Sequence, residues 1–140
     1  MTSRFEVASK FIKALPHVQA LGIELLAMGE GSAEMSLPYN KQLIGDPETG
    51  VIHGGAVSTL MDTCCGTAVM SHPTGALSTA TLDLRIDYMR AATPGQTIIA
   101  RAECFHVTRS VAFVRVVATD DDAARPVATA AAAFTLERAP

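Results

Sequence analysis

The sequence contains no tryptophan and only three cysteines, and charged residues make up 18% of its 140 positions. The cysteines are Cys64, Cys65 and Cys104, an odd number of which two are adjacent. Such a set does not suit a disulfide framework, so we expect reduced thiols in a cytoplasmic protein.

Other signals are missing as well. The four histidines are scattered, no Cys-x-x-Cys occurs, and we expect neither a metal site nor a cofactor. The formal net charge of −3 gives no basic footprint for nucleic acid or an anionic membrane. Charged residues interrupt the N-terminal apolar residues, which argues against a signal peptide, and no uncharged apolar run reaches the roughly 18 residues of a membrane span.

Apolar residues, in contrast, are abundant, at 49% of the chain. At this length they suffice for one sizeable core, and no repeat or low-complexity linker divides the sequence. We therefore expect a single domain over residues 1–140.

Apolar periodicity predicts the elements of the first half. Apolar residues at helical spacing predict a short helix over 5–15, which Pro16 ends. Two β-like runs within 21–37, separated by a glycine-containing turn, predict a hairpin. The polar stretch 40–50 is predicted as a loop, and 53–70 as one long helix.

The second half is typical of strands. Residues 81–88 alternate between apolar and polar, and strand formers fill 97–107, 111–118 and 127–136, including the alanine run at 130–133. The order predicts an α+β domain, in which an antiparallel sheet carries one apolar helix across its face. Because one helix leaves edges and faces of the sheet uncovered, we expect a dimer or a higher oligomer.

One carboxylate stands out on the long helix. Asp62 shares a helix side with small residues, namely Gly55, Ser58, Thr59 and Gly66, and no Lys, Arg or Glu occurs between Val51 and Val69. A solvated helix face would explain Asp62 equally well from helix statistics alone. The uncharged neighbours favour an interface or a cleft instead.

The start of this helix carries His53-Gly54-Gly55. Unpaired N–H groups and the positive end of the helix dipole can receive a developing negative charge there. The alternative is that both glycines only permit a tight turn and that His53 only bonds nearby backbone.

The combined pattern resembles the central-helix motif of the PaaI-like (phenylacetate-degradation type) hotdog thioesterases. The motif residues are Gly50-Val51-Ile52-His53-Gly54-Gly55, Leu60-Met61-Asp62 and Gly66-Thr67-Ala68, with further matches at Gly22-Ile23, Thr81, Asp87 to Ala91 and Gly95. The resemblance implies a six-stranded antiparallel sheet wrapped around the central helix. It also implies a dimer or tetramer with active sites shared across the dimer interface.

The resemblance also implies residue roles. The family's catalytic acid falls on Asp62, its thioester-polarising amide on Gly55, and a polar residue that orients the attacking water on Thr81. Strand alternation places Thr81 opposite the face of Leu82 and Leu84, so its approach to Asp62 requires a bulge or a cross-subunit arrangement. The asparagine that family members often carry before the histidine has no counterpart in Asp46-Pro47-Glu48-Thr49.

The implied activity is hydrolysis of acyl-CoA thioesters with aryl or short to medium-chain acyl groups, coenzyme A being part of the substrate. The helix-start amide of Gly55 would polarise the thioester carbonyl, and Asp62 would act as general base or as nucleophile. His53 is placed with the catalytic residues and Gly54 with the substrate-binding residues. Arg90 and Arg109 are candidates for binding the CoA phosphates. Cys64 and Cys65 lack a partner histidine at identifiable spacing and are predicted to be core residues. The alternative function is a non-catalytic acyl-CoA binding or sensor module of the same fold.

Overall fold

The structure is a computed structural model that describes all 140 residues. The helices are α1 (Arg4–Lys13), α2 (Pro16–Leu21) and α3 (Gly54–Ser71). The strands are β1 (Glu24–Gly29), β2 (Ser32–Leu37), β3 (Ile44–Asp46), β4 (Val51–Ile52), β5 (Thr81–Tyr88), β6 (Ile98–Val107), β7 (Val111–Thr119) and β8 (Ala128–Thr135).

Six strands form one antiparallel sheet in the order β1-β2-β6-β7-β8-β5. The prediction of an α+β fold with a six-stranded antiparallel sheet is therefore confirmed. The alanine run lies in β8 and not in a helix, because it pairs on both sides, with β7 and with β5. β1 and β5 are the two edge strands.

The core lies between α3 and the inner face of the sheet. Val57, Leu60, Met61, Cys64, Ala68 and Val69 of the helix are all buried, as the apolar stripe predicted. The facing strand positions are largely small, and Ala100, Ala102, Ala112, Ala118 and Ala128 are buried. Small side chains on the sheet let the helix lie close to it, and that position fixes where the helix presents its remaining sides.

The N-terminal region differs from the prediction at Pro16. A capping box between Ser3 and Glu6 begins α1, but Pro16 begins a second helix, α2. Proline is well suited to the first turn of a helix, where its missing N–H would have no partner. The short helix predicted before Pro16 is present as α1, whereas the second helix, α2, was not predicted.

The loop predicted over 40–50 is only partly a loop. It contains a 3-10 turn at Lys41–Leu43 and the short strand β3, which pairs with β4. The turn between β3 and β4 is closed by the Asp46 carbonyl, which accepts the N–H of Gly50 at 2.8 Å. This small hairpin lies directly before α3 and carries the chain into it.

Candidate active site

The central feature is a contact between α3 and the first residue of β5. The Thr81 hydroxyl donates a hydrogen bond to Asp62 Oδ1 at 2.7 Å. No other side chain bonds the Asp62 carboxylate, which is half-buried and faces a cleft between α1 and α3. The structure thus brings together two of the predicted site residues and leaves Oδ2 of Asp62 without a hydrogen-bond partner.

A bulge in β5 makes this contact possible. Thr81 pairs with Phe134 and Asp83 pairs with Ala133, so the register shifts between the two pairs. A bulge redirects one side chain relative to the strict alternation of a strand. Of the two arrangements that the sequence left open for Thr81, the bulge is the one present, and the contact lies within one chain.

The start of α3 is organised by His53. His53 Nδ1 accepts the N–H of Gly55 at 2.8 Å, so His53 is the N-cap of the helix. The segment before α3 holds His53 in place. The His53 N–H donates to the Leu43 carbonyl at 2.8 Å. A Cβ added at Gly45, in β3, would lie 2.8 Å from His53 Cα. Only glycine fits at position 45 without moving that backbone.

The two glycines after His53 differ. The Gly55 amide is already bonded to His53, whereas the Gly54 N–H has no partner within the chain. Gly55 was predicted to polarise the thioester. In this conformation it can do so only if His53 Nδ1 releases its N–H, and Gly54 offers the free donor.

Tyr88 is a neighbour that the sequence analysis did not single out. Its hydroxyl donates to the Gly54 carbonyl at 2.8 Å, and its ring lies 3.5 Å from where a Gly54 Cβ would stand. In the sequence, Tyr88 is the last residue of β5 and lies within the stretch from Asp87 to Ala91 that matches the family pattern. Tyr88 therefore fixes the orientation of the peptide group between Gly54 and Gly55, which carries the Gly55 N–H.

The helix start and Asp62 are far apart within one chain. Eight residues separate Gly54 from Asp62, which at the rise of an α-helix is about 12 Å along the axis. A carbonyl oxygen bound at one position and a water activated at the other must lie within a few ångströms of the same carbon atom. The two groups of one chain are therefore separated by more than that distance along the helix axis.

Cys64 and Cys65 are core residues, as predicted. Both are fully buried, and the Cys64 thiol donates to the Ala33 carbonyl at 3.3 Å. Burial raises the pKa of Cys64 to about 12 and also raises the pKa of Cys65. Neither thiol is a competent nucleophile at neutral pH, because the thiolate is the reactive form.

Arg90 and Arg109, the candidates for CoA binding, have different surroundings. Arg90 donates to both oxygens of Asp120 at 2.8 and 2.7 Å and also to the Arg125 carbonyl. These bonds favour a structural role for Arg90, and its CoA role stays a prediction. Arg109 is exposed in the β6–β7 turn and has no side-chain hydrogen bond.

Two further findings describe the whole chain. No group of three His, Cys, Asp or Glu side chains is placed to hold a metal ion. Among the three helices, none has both the length and the apolar character needed to cross a membrane.

Comparison with known proteins gives a consistent family. The thioesterase superfamily model matches residues 49–127. The medium/long-chain acyl-CoA thioesterase YigI of Salmonella typhimurium is 26% identical over 129 residues, covering 83% of each chain. The acyl-coenzyme A thioesterase PaaI of Escherichia coli is 31% identical over 88 residues, covering 63% of this chain and 59% of PaaI.

Solved structures share the fold. A protein from Pseudomonas aeruginosa is 44% identical, with a TM-score of 0.83 over 94% of this chain and 97% of that one. The Escherichia coli PaaI structure, 22% identical with a TM-score of 0.83, covers 94% of this chain and 91% of PaaI and supports the fold alone. The family match spans the helix start, Asp62 and Thr81, and the chain belongs to the thioesterase superfamily as a PaaI-like hotdog protein.

Proposed function

We propose that the protein hydrolyses acyl-CoA thioesters to the free acid and coenzyme A, with Asp62 as the catalytic carboxylate. The observation that carries the proposal is the Asp62–Thr81 pair at the edge of the cleft, in which one carboxylate oxygen accepts a hydrogen bond at 2.7 Å and the other has no hydrogen-bond partner. The acyl-CoA thioesterases YigI and PaaI are relatives of this chain, which supports the same class of substrate.

Two chemical routes are open to Asp62. As a general base, Oδ2 removes a proton from water while the water oxygen attacks the thioester carbon and the CoA thiolate leaves. As a nucleophile, the carboxylate attacks that carbon, and water then hydrolyses the mixed anhydride. If water attacks the Asp62 carbonyl carbon of the anhydride, the product acid keeps an oxygen from Asp62, so unlabelled acid from a single turnover in ¹⁸O-labelled water would identify the nucleophilic route.

The helix start supplies the complementary charge. As the thioester carbonyl oxygen becomes negative, it accepts the free N–H of Gly54 at the positive end of α3. His53 supports this role by capping the helix through the Gly55 amide, which keeps the first turn intact. Gly55 can add a second donor to the oxyanion when His53 releases it.

Each active site is assembled from two copies of the chain. Gly54 and Asp62 of one copy are separated by about 12 Å along α3, so we assign the oxyanion donors of a site to one copy and the carboxylate to the other. A two-fold dimer then contains two equivalent sites. β5, which carries Thr81 and Tyr88, is one of the two edge strands of the sheet and is the one we assign to such pairing.

A mixing experiment tests the shared site. Asp62→Asn and Gly54→Val homodimers are each expected to be nearly inactive, because one lacks the carboxylate and the other crowds the donor against Tyr88. After subunit exchange, each mixed dimer contains one complete site, and random mixing restores about a quarter of wild-type activity. A mixture that stays inactive while exchange is demonstrated by mass would show that each site lies within one chain.

The direct test of function is release of free thiol from a panel of acyl-CoA esters. We expect turnover on the order of 1 s⁻¹ or faster with the preferred acyl group. Absence of thiol release with every ester, from a folded protein that still binds acyl-CoA, would favour the binding or sensor module instead.

A further inference from the structure

The cleft that Asp62 faces continues well beyond the catalytic pair. It has a volume of about 780 Å³ and runs between α1, the second half of α3 and the segment before β5. From α3 it is lined by a single stripe at positions 62, 63, 66, 67, 70 and 71. The stripe therefore leads away from Asp62 along the helix, toward its C-terminal end.

The walls of this cleft are apolar and unpartnered. Phe11 of α1 is 68% exposed and Leu77 on the opposite side is 63% exposed. Val7 lies one helical turn before Phe11, and Met70 of α3 is likewise exposed. Exposed large apolar side chains that meet in one concavity indicate a binding surface for an apolar group.

The polar side chains in the lining are largely satisfied within the protein. Thr67 donates to the Thr63 carbonyl at 2.9 Å, Ser71 to the Ala68 carbonyl at 2.9 Å, and Thr79 to the Thr135 carbonyl at 2.6 Å. A polar ligand would have few partners along this surface. The one carboxylate oxygen left available is at the Asp62 end.

The stripe of α3 has no side chain at position 66, where the residue is glycine. Gly66 lies one turn after Asp62, and a Cβ added there would lie 3.6 Å from Phe134, an ordinary contact. A larger side chain at position 66 would enter the cleft directly beyond the carboxylate. The path from Asp62 to Met70 spans eight residues, or about 12 Å.

We propose that this cleft holds the acyl chain of the substrate, with the carbonyl at Asp62, the tail along Gly66 to Met70, and α1 as the outer wall. An extended chain of C–C bonds of about 1.5 Å advances roughly 1.25 Å per carbon, so about 12 Å holds roughly ten carbons. The preferred substrates are accordingly medium-chain aliphatic acyl-CoA esters. This inference rests on the proposed thioesterase function and adds the chain-length determinant to it.

The α1 wall is fixed to the body of the protein at both of its ends. Arg4 donates to the Ser71 carbonyl at 3.2 Å, where α3 ends, and Ile12 is buried in the core. Between these two points Val7 and Phe11 face the cleft. Changes at Phe11 therefore alter the wall without removing the anchors.

The test is a chain-length profile of kcat/KM from acetyl-CoA to palmitoyl-CoA. In the wild type we expect a rise toward decanoyl-CoA, by up to about fourfold per buried methylene, and no further gain for longer chains. Gly66→Leu should lower the decanoyl-to-acetyl ratio of kcat/KM at least tenfold. Gly66→Ala should lower it in the same direction by less, which keeps the test valid if the leucine variant folds poorly.

A matched pair of phenylalanine variants examines the α1 wall. Phe11→Ala should also lower the decanoyl-to-acetyl ratio, whereas Phe5→Ala, in the same helix but outside the cleft, should leave the profile unchanged. Light scattering accompanies both variants. Dissociation of Phe11→Ala without a change of profile would overturn the proposal and identify the cleft as an interface between copies of the chain.

The outcomes distinguish a failure of the acyl-chain site from a failure of the thioesterase function. A wild-type enzyme that hydrolyses acyl-CoA esters, but whose chain-length ratio is unaffected by Gly66→Leu and Gly66→Ala, overturns the tail site and leaves the thioesterase function intact. A wild-type protein that hydrolyses no ester of any length overturns both.

Discussion

Asp62 and Asp120 are two carboxylates of one small domain, placed in opposite ways. The Asp120 side chain is 0% exposed and accepts four hydrogen bonds, two from Arg90 and one each from the N–H groups of Thr93 and Asp122. Asp62 is half-buried and accepts one, from the neutral hydroxyl of Thr81. The first carboxylate is fully satisfied, and the second has accepting capacity left over.

The difference separates a structural role from a chemical one. The Arg90 guanidinium beside Asp120 holds the pKa of that carboxyl far below its usual range, so it stays ionised and inert. The Arg90–Asp120 ion pair fixes the loop after β5 to the loop after β7. A carboxylate that acts on water or on a thioester needs a free oxygen in an accessible place, and Asp62 meets that condition.

The largest stability effect is expected at Asp120. Asp120→Ala leaves Arg90, which is only 18% exposed, and two backbone N–H groups without their acceptor. We expect a loss of roughly 3 kcal/mol in the free energy of unfolding, measured by urea denaturation, typical of removing one partner of a buried pair. Asp121→Ala, at the exposed neighbouring aspartate, is the control and should change stability little. Equal stability of both variants would remove the structural role of Asp120.

Lowering the pH should reveal the contribution of Asp120 to stability. Because the folded-state pKa of Asp120 is lowered, its contribution to stability is full above the unfolded-state pKa of about 4 and is lost as the pH falls toward the folded-state value. Stability of the wild type should therefore decline below about pH 5 more steeply than that of Asp120→Asn, in urea denaturation at a series of pH values. Parallel pH curves for the two proteins would contradict this assignment.

A smaller effect, on activity, is expected at Thr81. Thr81→Ala removes the hydroxyl that holds Asp62 Oδ1, and we expect kcat to fall about tenfold, the scale of one lost hydrogen bond to a charged group. Thr81→Ser keeps the hydroxyl and should recover most of the activity. Failure of serine to rescue would indicate that the threonine acts through packing rather than through its hydrogen bond.

The smallest effect is expected on KM, in a comparison of Arg109 with Arg115. Arg109→Ala should raise KM for acyl-CoA several-fold with little change in kcat, because a surface charge contributes equally to substrate and transition-state binding. Arg115→Ala serves as the matched control, because it also removes one positive charge, that of the guanidinium stacked on the Phe105 ring. An unchanged KM in Arg109→Ala would show that Arg109 is only a turn residue and does not bind CoA.

Local patterns predicted most of the fold. The apolar stripe of α3 and the strand-forming runs of the second half predicted their elements within one residue, because burial against one sheet face imposes those periodicities. The short helix α2 was missed because proline both ends helices and begins them, and the local sequence did not distinguish the two. The short β3–β4 pair was missed because three- and two-residue strands have no periodicity to detect.

Candidate residues for the site could be named from the sequence, but their geometry could not. Asp62 and His53 stand out in the sequence, yet the reach of Thr81 depends on a bulge whose register is set by β8. The Arg90–Asp120 pair joins residues 30 positions apart, which no local pattern encodes. The hydrogen bond from Gly55 to His53, which leaves Gly54 as the free donor, likewise follows only from the folded helix start.

The most direct test of the central claim measures kcat and the free energy of unfolding together for Asp62→Asn and Asp120→Asn. Asp62→Asn keeps the shape but removes the base and the nucleophile, so kcat should fall by roughly 10²-fold or more while stability and oligomeric state change little. Asp120→Asn should do the reverse, losing stability and retaining turnover in the fraction that stays folded. An intact Asp62→Asn oligomer that hydrolyses acyl-CoA at the wild-type rate would contradict the account, because Asp62 would then be as structural as Asp120.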